Sequence, residues 1–430
     1  MTHAGVYLNW GLNPFGHHLV NLLLHAANAV VFYYVVLALR RKGLRKGDSP
    51  RLRGLSPLSA AAVGALFFAL HPLRVEAVAW ATERREVLCA FFFLLTLLLY
   101  LRMYHEQRAG HRAWRTWFLL SIGCYALSLL SKAMALTLPA VLLVLDVYPL
   151  GRFSRAGRGA RPPTWVLLEK VPYAVLAGTA ATIALVAVHR GAMIGLAVHG
   201  PVQRMMQAAY GLCFYLWKTL LPIGLAPLYL LEEPLDPTKP TYLLCALIVV
   251  GVTATLIVFR RRYPWALAAW TCYVAIVSPV LGVAQSGPQQ VADRYTYLSC
   301  LPWAVLAAAG VYQLGLLAEA HHRGRRIRAA TVAVAAMLLA LLGTQTFRQT
   351  RIWKDSVTLW THVLAIDPTN YIAYNSRGDA RVWPSGSSSG CRVAGDLPGA
   401  VADYGHAVRF APPRSRHRAT FEGNLAAARA

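Results

Sequence analysis

The chain has 430 residues, 57% of them hydrophobic and 14% charged, with a formal net charge of +25. Soluble domains carry roughly a quarter charged residues, so this composition excludes an ordinary water-soluble globule and makes lipid the main solvent. The basic excess falls into short clusters between apolar runs, not into one basic domain, which excludes a nucleic-acid partner as its explanation.

Residues 9–28 read NWGLNPFGHHLVNLLLHAAN. His18, Asn21, His25 and Asn28 recur on one face of an otherwise apolar helix. Lipid penalises such a face, so it turns into a bundle, where it reads first as interhelical hydrogen-bond glue and only second as a ligand set. Ten apolar windows reach or approach the length that crosses a hydrocarbon core of roughly 30 Å. They are 16–39, 57–71, 87–101, 114–131, 133–150, 171–189, 241–259, 264–284, 296–318 and 329–347.

Between the second and third windows, residues 71–86 read HPLRVEAVAWATERRE. Pro72 opens a short helix on which Glu76 shares a face with Glu83 or Arg84, a carboxylate beside guanidinium groups that suits a phosphate and a hydroxyl. The bland alternative is an interfacial helix with solvated ion pairs. SKAMALTLP, from Ser131 to Pro139, is a tight turn whose Lys132 either snorkels or joins a site. The stretch 205–231 is apolar but broken by Lys218, Pro222, Gly224 and Pro227, so it either crosses or dips in and returns. Asp293-Arg294-Tyr295-Thr296-Tyr297 opens another span, with an Asp-Arg pair and rings suited to a lipid phosphate and a sugar. Six cysteines (Cys89, Cys124, Cys213, Cys245, Cys272, Cys300) sit singly in apolar stretches and read as packing residues.

Loop charge sets orientation. Lys and Arg number seven in 40–53, four in 102–115, four in 152–161, three in 260–262 and four in 323–328. All five clusters fall on the cytoplasmic side only when 205–231 is re-entrant. The opposite face then holds the N-terminus, the loops 71–86, 190–204, 232–240 and 285–295, and the C-terminal tail. Residues 348–430 form that tail: Tyr374, Arg377 and Gly378 match a first helix, and Ala400, Tyr404, Ala407 and Pro412 a second helix, of a tetratricopeptide unit. A Gly/Ser-rich loop insertion near 382–394 separates them. Two imperfect units are marginal alone, so the tail is expected either to pack on the membrane part or to belong to a truncated array.

Taken in order, LNPFGHHLVNLLLHAAN, HPLRVEAVAWATERREVLCAFFFLLTLLLY, LSKAMALTLPAVLLVLDVYPLG, ADRYTYL and IWKDSVTLWTHVLAIDPTNYIAYNSRG resemble the transmembrane and tetratricopeptide repeat family. That family is similar to the protein O-mannosyltransferases, of GT-C glycosyltransferase architecture. The resemblance implies an all-α polytopic helix bundle over 1–347 with a short tetratricopeptide-type α-hairpin tail. It also implies an enzyme that moves mannose or a similar hexose from a polyprenyl-phosphate carrier to Ser/Thr of an acceptor protein on the non-cytoplasmic face, the tail docking the acceptor. The only cofactor implied is that lipid-linked sugar donor; a divalent metal is left open. On this reading His71, Arg84, Arg85, Lys132, Arg294 and Tyr295 hold the donor, and Glu76 is the catalytic carboxylate in reach.

Enzymes of this kind carry an Asp-Asp or Asp-Glu acid in a first external loop after a first span. Residues 1–15 contain no Asp or Glu. The sequence as written is therefore expected to be N-terminally truncated or degenerate and short of its catalytic acid, which makes a membrane-anchored scaffold without catalysis the alternative. The brief repeat array favours a bacterial inner membrane, with the endoplasmic reticulum as the eukaryotic equivalent.

Overall fold

The computed structural model describes residues 2–11, 13–40, 56–153, 162–191, 200–232, 234–282, 287–320, 324–383, 396–413, 415 and 417–429. Most of the basic runs 40–53 and 152–161 and of the loop insertion lies outside the described residues. Helices make up almost everything that is described; the β structure is a single antiparallel pair, Tyr229–Leu230 against Gln289–Val291. Among the described residues six helices are long and apolar enough to cross a membrane: Pro14–Leu39, Ala81–Arg108, Pro163–Val186, Pro240–Val258, Leu301–Ala320 and Gly324–Ile352. This is an all-α polytopic fold. Trp114–Ser131, Ala133–Val147 and Pro264–Val280 fill further apolar windows with shorter helices.

Prolines open many of these helices, among them Pro57–Ala69, Pro163–Leu168, Pro201–Leu220, Pro240–Val258 and Pro264–Val277. A first-turn proline lacks only an N–H that would have no helical partner, and its fixed φ is already helical. Mid-path the same residue has the opposite effect. Pro72 ends the Pro57–Ala69 run, and the chain turns by 55° into Pro72–Ala79. Side chains take up two of the carbonyls this bend frees: Ala69 accepts from His25 Nε2 at 3.1 Å and Leu70 from Thr346 Oγ1 at 2.6 Å. His71 caps the break, its Nδ1 accepting from the Leu73 N–H and its Nε2 donating to the Thr219 carbonyl at 3.0 Å. A broken helix at membrane depth persists where neighbouring helices supply such partners.

Close helix packing relies on small residues. A Cβ on Gly64 would stand 2.9 Å from the Ala304 carbonyl oxygen and from the Ala308 Cβ, so Pro57–Ala69 and Leu301–Ala320 approach backbone to backbone. Helices Pro14–Arg40 and Arg84–Arg108 run parallel, joined near their starts by Arg84 to His17 and near their ends by His105 to the Ala38 carbonyl. The end where both begin is called the upper end. At the lower end Tyr100, Asp146, Arg152, Glu169 and Lys170 form a buried polar cluster: Lys170 Nζ reaches Asp146 Oδ2 at 2.7 Å and Arg152 Nη2 reaches Glu169 at 2.6 Å.

Helix Pro201–Leu220 buries Arg204, Gln207 and Lys218. Arg204 Nη1 donates to the Gly282 carbonyl at 2.9 Å, and Lys218 Nζ donates to the carbonyls of Ile223 and Gly224, the latter at φ +57. From there residues 221–231 run irregularly across the upper end, and the tail helices Ser356–Ile366, Tyr371–Val382, Leu397–Phe410 and Arg418–Arg429 stack over them. Val363, Leu364 and Ala373 pack on Ala226, while His362 Nε2 donates to the Leu225 carbonyl at 3.0 Å. Within the tail a Cβ on Gly378 would lie 2.7 Å from the Tyr404 ring, so a small residue is obligatory there. The tail therefore rests on the bundle, as its modest length requires.

Candidate functional site

Three segments far apart in sequence converge at the upper end. Helix Val75–Ala79 stops at Trp80, whose extended backbone re-aims the chain before the turn Ala81–Glu83 and helix Arg84–Arg108. Lys132, extended between Trp114–Ser131 and the turn Ala133–Thr137, projects from the second segment, and the turn Asp293–Tyr295 supplies the third.

Arg294 is the hub. Its guanidinium pairs with Glu76 Oε1, its backbone N–H donates to Glu76 Oε2 at 2.7 Å, and its Nε lies 3.7 Å from Glu83 Oε1. The same guanidinium stands 5.3 Å from the Trp80 ring centroid and 4.9 Å from that of Tyr295, within cation–π range. Lys132 Nζ reaches Glu83 Oε2 at 3.0 Å, also pairs with Glu86, and lies over Tyr295 at 5.8 Å. Arg85 donates to Glu83 Oε1 at 3.1 Å while its side chain stays 61% exposed. Directly beneath, Asp293 accepts from the Ala226 N–H at 3.1 Å and from the Tyr229 hydroxyl at 3.1 Å. Burial first, and then the Glu76 carboxylate, raise the Asp293 carboxyl well above the usual carboxylate range, with Lys218 and Tyr229 pulling it back. The result is a ring of cations and aromatic faces set on buried carboxylates. Such a surface holds an anion by Arg and Lys and a planar or apolar group by its rings. Among the described residues no group of three or more His, Cys, Asp or Glu is placed to hold a metal ion.

Comparison with known proteins gives the same direction. The chain is 36% identical over 149 residues to protein O-mannosyl-transferase TMTC4 of Homo sapiens, a match covering 34% of this chain and 20% of that protein. It is 37% identical over 144 residues to protein O-mannosyl-transferase TMTC2 of Mus musculus (34% and 15%) and 32% identical over 154 residues to protein O-mannosyl-transferase Tmtc3 of Drosophila melanogaster (34% and 17%). Over about a third of its length the chain is similar to the TMTC proteins. The matches span about a fifth or less of those relatives' own length. No family model and no solved structure matches.

Of the residues singled out in the TMTC-like motifs, Glu76, Arg85, Lys132, Arg294 and Tyr295 come together in one place. Arg84 does not join them. Its side chain turns toward helix Pro14–Arg40, where Nε donates to Asn21 Oδ1 at 2.9 Å and Nη2 to the His17 carbonyl at 3.1 Å. His71 is likewise fully buried at the helix break and serves it as a cap. Glu76 and Glu83 share no helix face, because the helix carrying Glu76 ends at Trp80; they meet through Arg294 instead. Nor do Asp293 and Arg294 pair with each other: consecutive residues, they face Tyr229 and Glu76 respectively.

The polar face of the first long helix is glue for three of its four members. Asn21 Nδ2 donates to the Val78 carbonyl at 3.1 Å, His25 contacts the Tyr297 hydroxyl at 2.6 Å, and Asn28 donates to the Val87 carbonyl at 2.9 Å. His18 is exposed and stands apart from them. Sequence reasoning passed over Asp293 as a buried acid, and Tyr229, Ala226 and Lys218 as its surroundings. The one sequence signal for them was the interrupted stretch 205–231, a break in apolar rhythm beside a charged residue.

Proposed function

We propose that this chain is the membrane part of a glycosyltransferase that takes a hexose, mannose by the relatives' names, from a polyprenyl-phosphate carrier and places it on Ser or Thr of a protein. The convergence of Arg85, Lys132 and Arg294 beside Trp80 and Tyr295 carries this reading. In it the cations receive the carrier phosphate and the rings receive its sugar or first isoprene units. Segment 205–231 is re-entrant, domain 1–347 forms the bundle, and the tail 348–430 is a tetratricopeptide-type hairpin region that presents the acceptor. On this reading all these groups lie on the non-cytoplasmic face, a placement supported by the basic clusters of the sequence falling in the loops assigned to the other side.

Chemically, the acceptor hydroxyl oxygen attacks the anomeric carbon, the bond from that carbon to the phosphate oxygen breaks, and the carrier phosphate leaves with the electron pair. Arg294 and Lys132 stabilise the charge growing on that phosphate, an interaction stronger in the transition state than before it. Glu76 holds Arg294 from two sides and aims it. The hydroxyl proton goes to a carboxylate; residues 1–15 supply none, and the carboxylates buried in and beneath the cation cluster are Glu76, Glu83, Glu86 and Asp293, of which Glu83 and Glu86 are tied to Lys132. The relatives compared are animal proteins, so an endomembrane is the compartment to test before a bacterial inner membrane.

The test is carrier binding by the full chain in lipid nanodiscs, with polyprenyl phosphate against uncharged polyprenol. Tighter binding of the phosphate, lost as salt is raised, is the expected result. Equal binding of the two lipids would sink the reading.

A further inference from the structure

Behind Lys132 lies a set of polar atoms that the protein leaves without partners. Arg74 is 1% exposed, and none of its three guanidinium nitrogens has an oxygen or nitrogen acceptor among the described residues, the weakly accepting Cys300 sulfur being the polar atom beside it. Its guanidinium lies 5.4 Å from the Tyr297 ring centroid and 5.5 Å from that of Phe68, beside the Cys300 thiol. Around the same Tyr297 stand two buried acceptors without a donor, Glu86 Oε1 and Asn28 Oδ1. The Asn28 amide cannot be turned to remove the mismatch, since its Nδ2 must face the Val87 carbonyl at 2.9 Å and the Tyr297 hydroxyl at 3.0 Å. Glu86 divides two spaces: Oε2 holds Lys132 in the outer cluster, and Oε1 looks inward.

A buried guanidinium without an acceptor and buried acceptors without donors are costly states that persist where another group completes them. The pattern of vacancies says which group. A phosphate would serve Arg74 but brings no proton for Asn28 or Glu86 and is repelled by the Glu86 carboxylate. A hydroxyl accepts from Arg74 and donates to Glu86 or Asn28 at once.

We propose that Arg74, Asn28 and Glu86 form a hydroxyl-binding subsite that receives one or more ring hydroxyls of the carrier's sugar, entered where the Lys132–Glu86 contact opens. This rests on the reading of the outer cluster as the carrier-phosphate site. Water carries the same hydroxyl chemistry, so the test separates the two. The full chain in nanodiscs is titrated with polyprenyl phosphate, with polyprenyl-phosphate mannose, and with analogues of the latter in which one ring hydroxyl at a time is replaced by hydrogen. The wild-type chain is expected to lose tenfold or more in affinity for at least one deoxy analogue. Arg74→Met is expected to raise the unfolding temperature of the ligand-free chain, because it removes an unpaired buried charge. It should also lower affinity for the mannosyl lipid tenfold or more, leave the sugar-free carrier unaffected, and bind the sensitive deoxy analogue as well as the intact sugar. A lower ligand-free unfolding temperature for Arg74→Met would make the residue a structural support and overturn the proposal. A full deoxy penalty persisting in Arg74→Met would assign the vacancies to water and overturn it equally. Failure of the wild-type chain to bind either carrier is a different result: it removes the phosphate site, and this subsite with it.

Discussion

Glu86 and Tyr100 lie on the same helix, fourteen residues and so roughly 21 Å apart, and each belongs to a buried cluster of acids and bases. The two clusters are built to opposite ends. At the lower end Asp146 and Glu169 face Arg152 and Lys170, and the Tyr100 hydroxyl stitches them by donating to Asp146 at 2.7 Å while accepting from Arg152 and Lys170 at 2.6 Å each. Two carboxylates answer two cations. At the upper end Arg85 reaches into solvent, Arg74 has donors to spare, and Glu86 and Asn28 each hold an oxygen without a donor. A network that closes on itself specifies structure, whereas one with open valence waits for a ligand.

The largest expected effect lies in the closed cluster. Asp146→Ala leaves Arg152 and Lys170 buried without their acid and should cost about 3–5 kcal/mol of stability, read as a lowered unfolding temperature in detergent and loss of monodisperse protein. Arg294→Lys sharpens the contrast from the other side. It keeps a charge for Glu76 but loses the planar fork and the stacking on Trp80 and Tyr295, so carrier affinity should fall about tenfold, ~1.4 kcal/mol, with a much smaller change in unfolding temperature than Asp146→Ala causes. Equal destabilisation by both would erase the distinction.

A pH series tests the acid beneath Arg294. The Asp293 carboxyl titrates well above its ordinary range when folded, so the folded chain keeps a proton that the unfolded chain gives up near its usual pKa of about 3.9. Stability from this group is therefore present at low pH and declines as pH climbs from that value toward the folded one. Asp293→Asn should flatten the decline when unfolding temperatures are compared across acid to neutral pH; an unchanged slope would show that Asp293 is not the group responsible. The smallest effect belongs to Arg85→Ala, within about 0.5 kcal/mol in stability yet visible as a weaker salt dependence of carrier binding.

Periodicity and composition were enough to find the helices, because crossing lipid forces long apolar windows to satisfy their own backbones. They were also enough to single out Glu76, Lys132 and Arg294, which the fold brings to one place, since charges flanking such windows are few. What they could not do was aim side chains. Arg84 and Arg85 are consecutive at a helix start and so point about 100° apart, one into the bundle and one out, and only the neighbouring helix decides which. The Asp293–Arg294 pairing inferred from adjacency fails for the same reason: each side chain finds a partner more than sixty residues away. The lower cluster escaped notice entirely, because Arg152 was counted among orientation charges and its mates Asp146, Glu169 and Lys170 sit at the edges of apolar windows. Tertiary contact, not local pattern, turned those edges into a core.

The seating of the tail has a consequence for whatever binds it. Only two residues separate the end of helix Gly324–Ile352 from Asp355, which caps the first tail helix by accepting from the Thr358 N–H at 2.8 Å. His362 and Ala373 then fasten that helix and the next to residues 225 and 226. With no slack between anchor and arm, the tail behaves as a ruler and not as a tether. If the chain acts as proposed, a polypeptide gripped by the tail is held at a set height above the cation cluster, so reach along the partner, more than local sequence around the hydroxyl, would decide which Ser or Thr is presented.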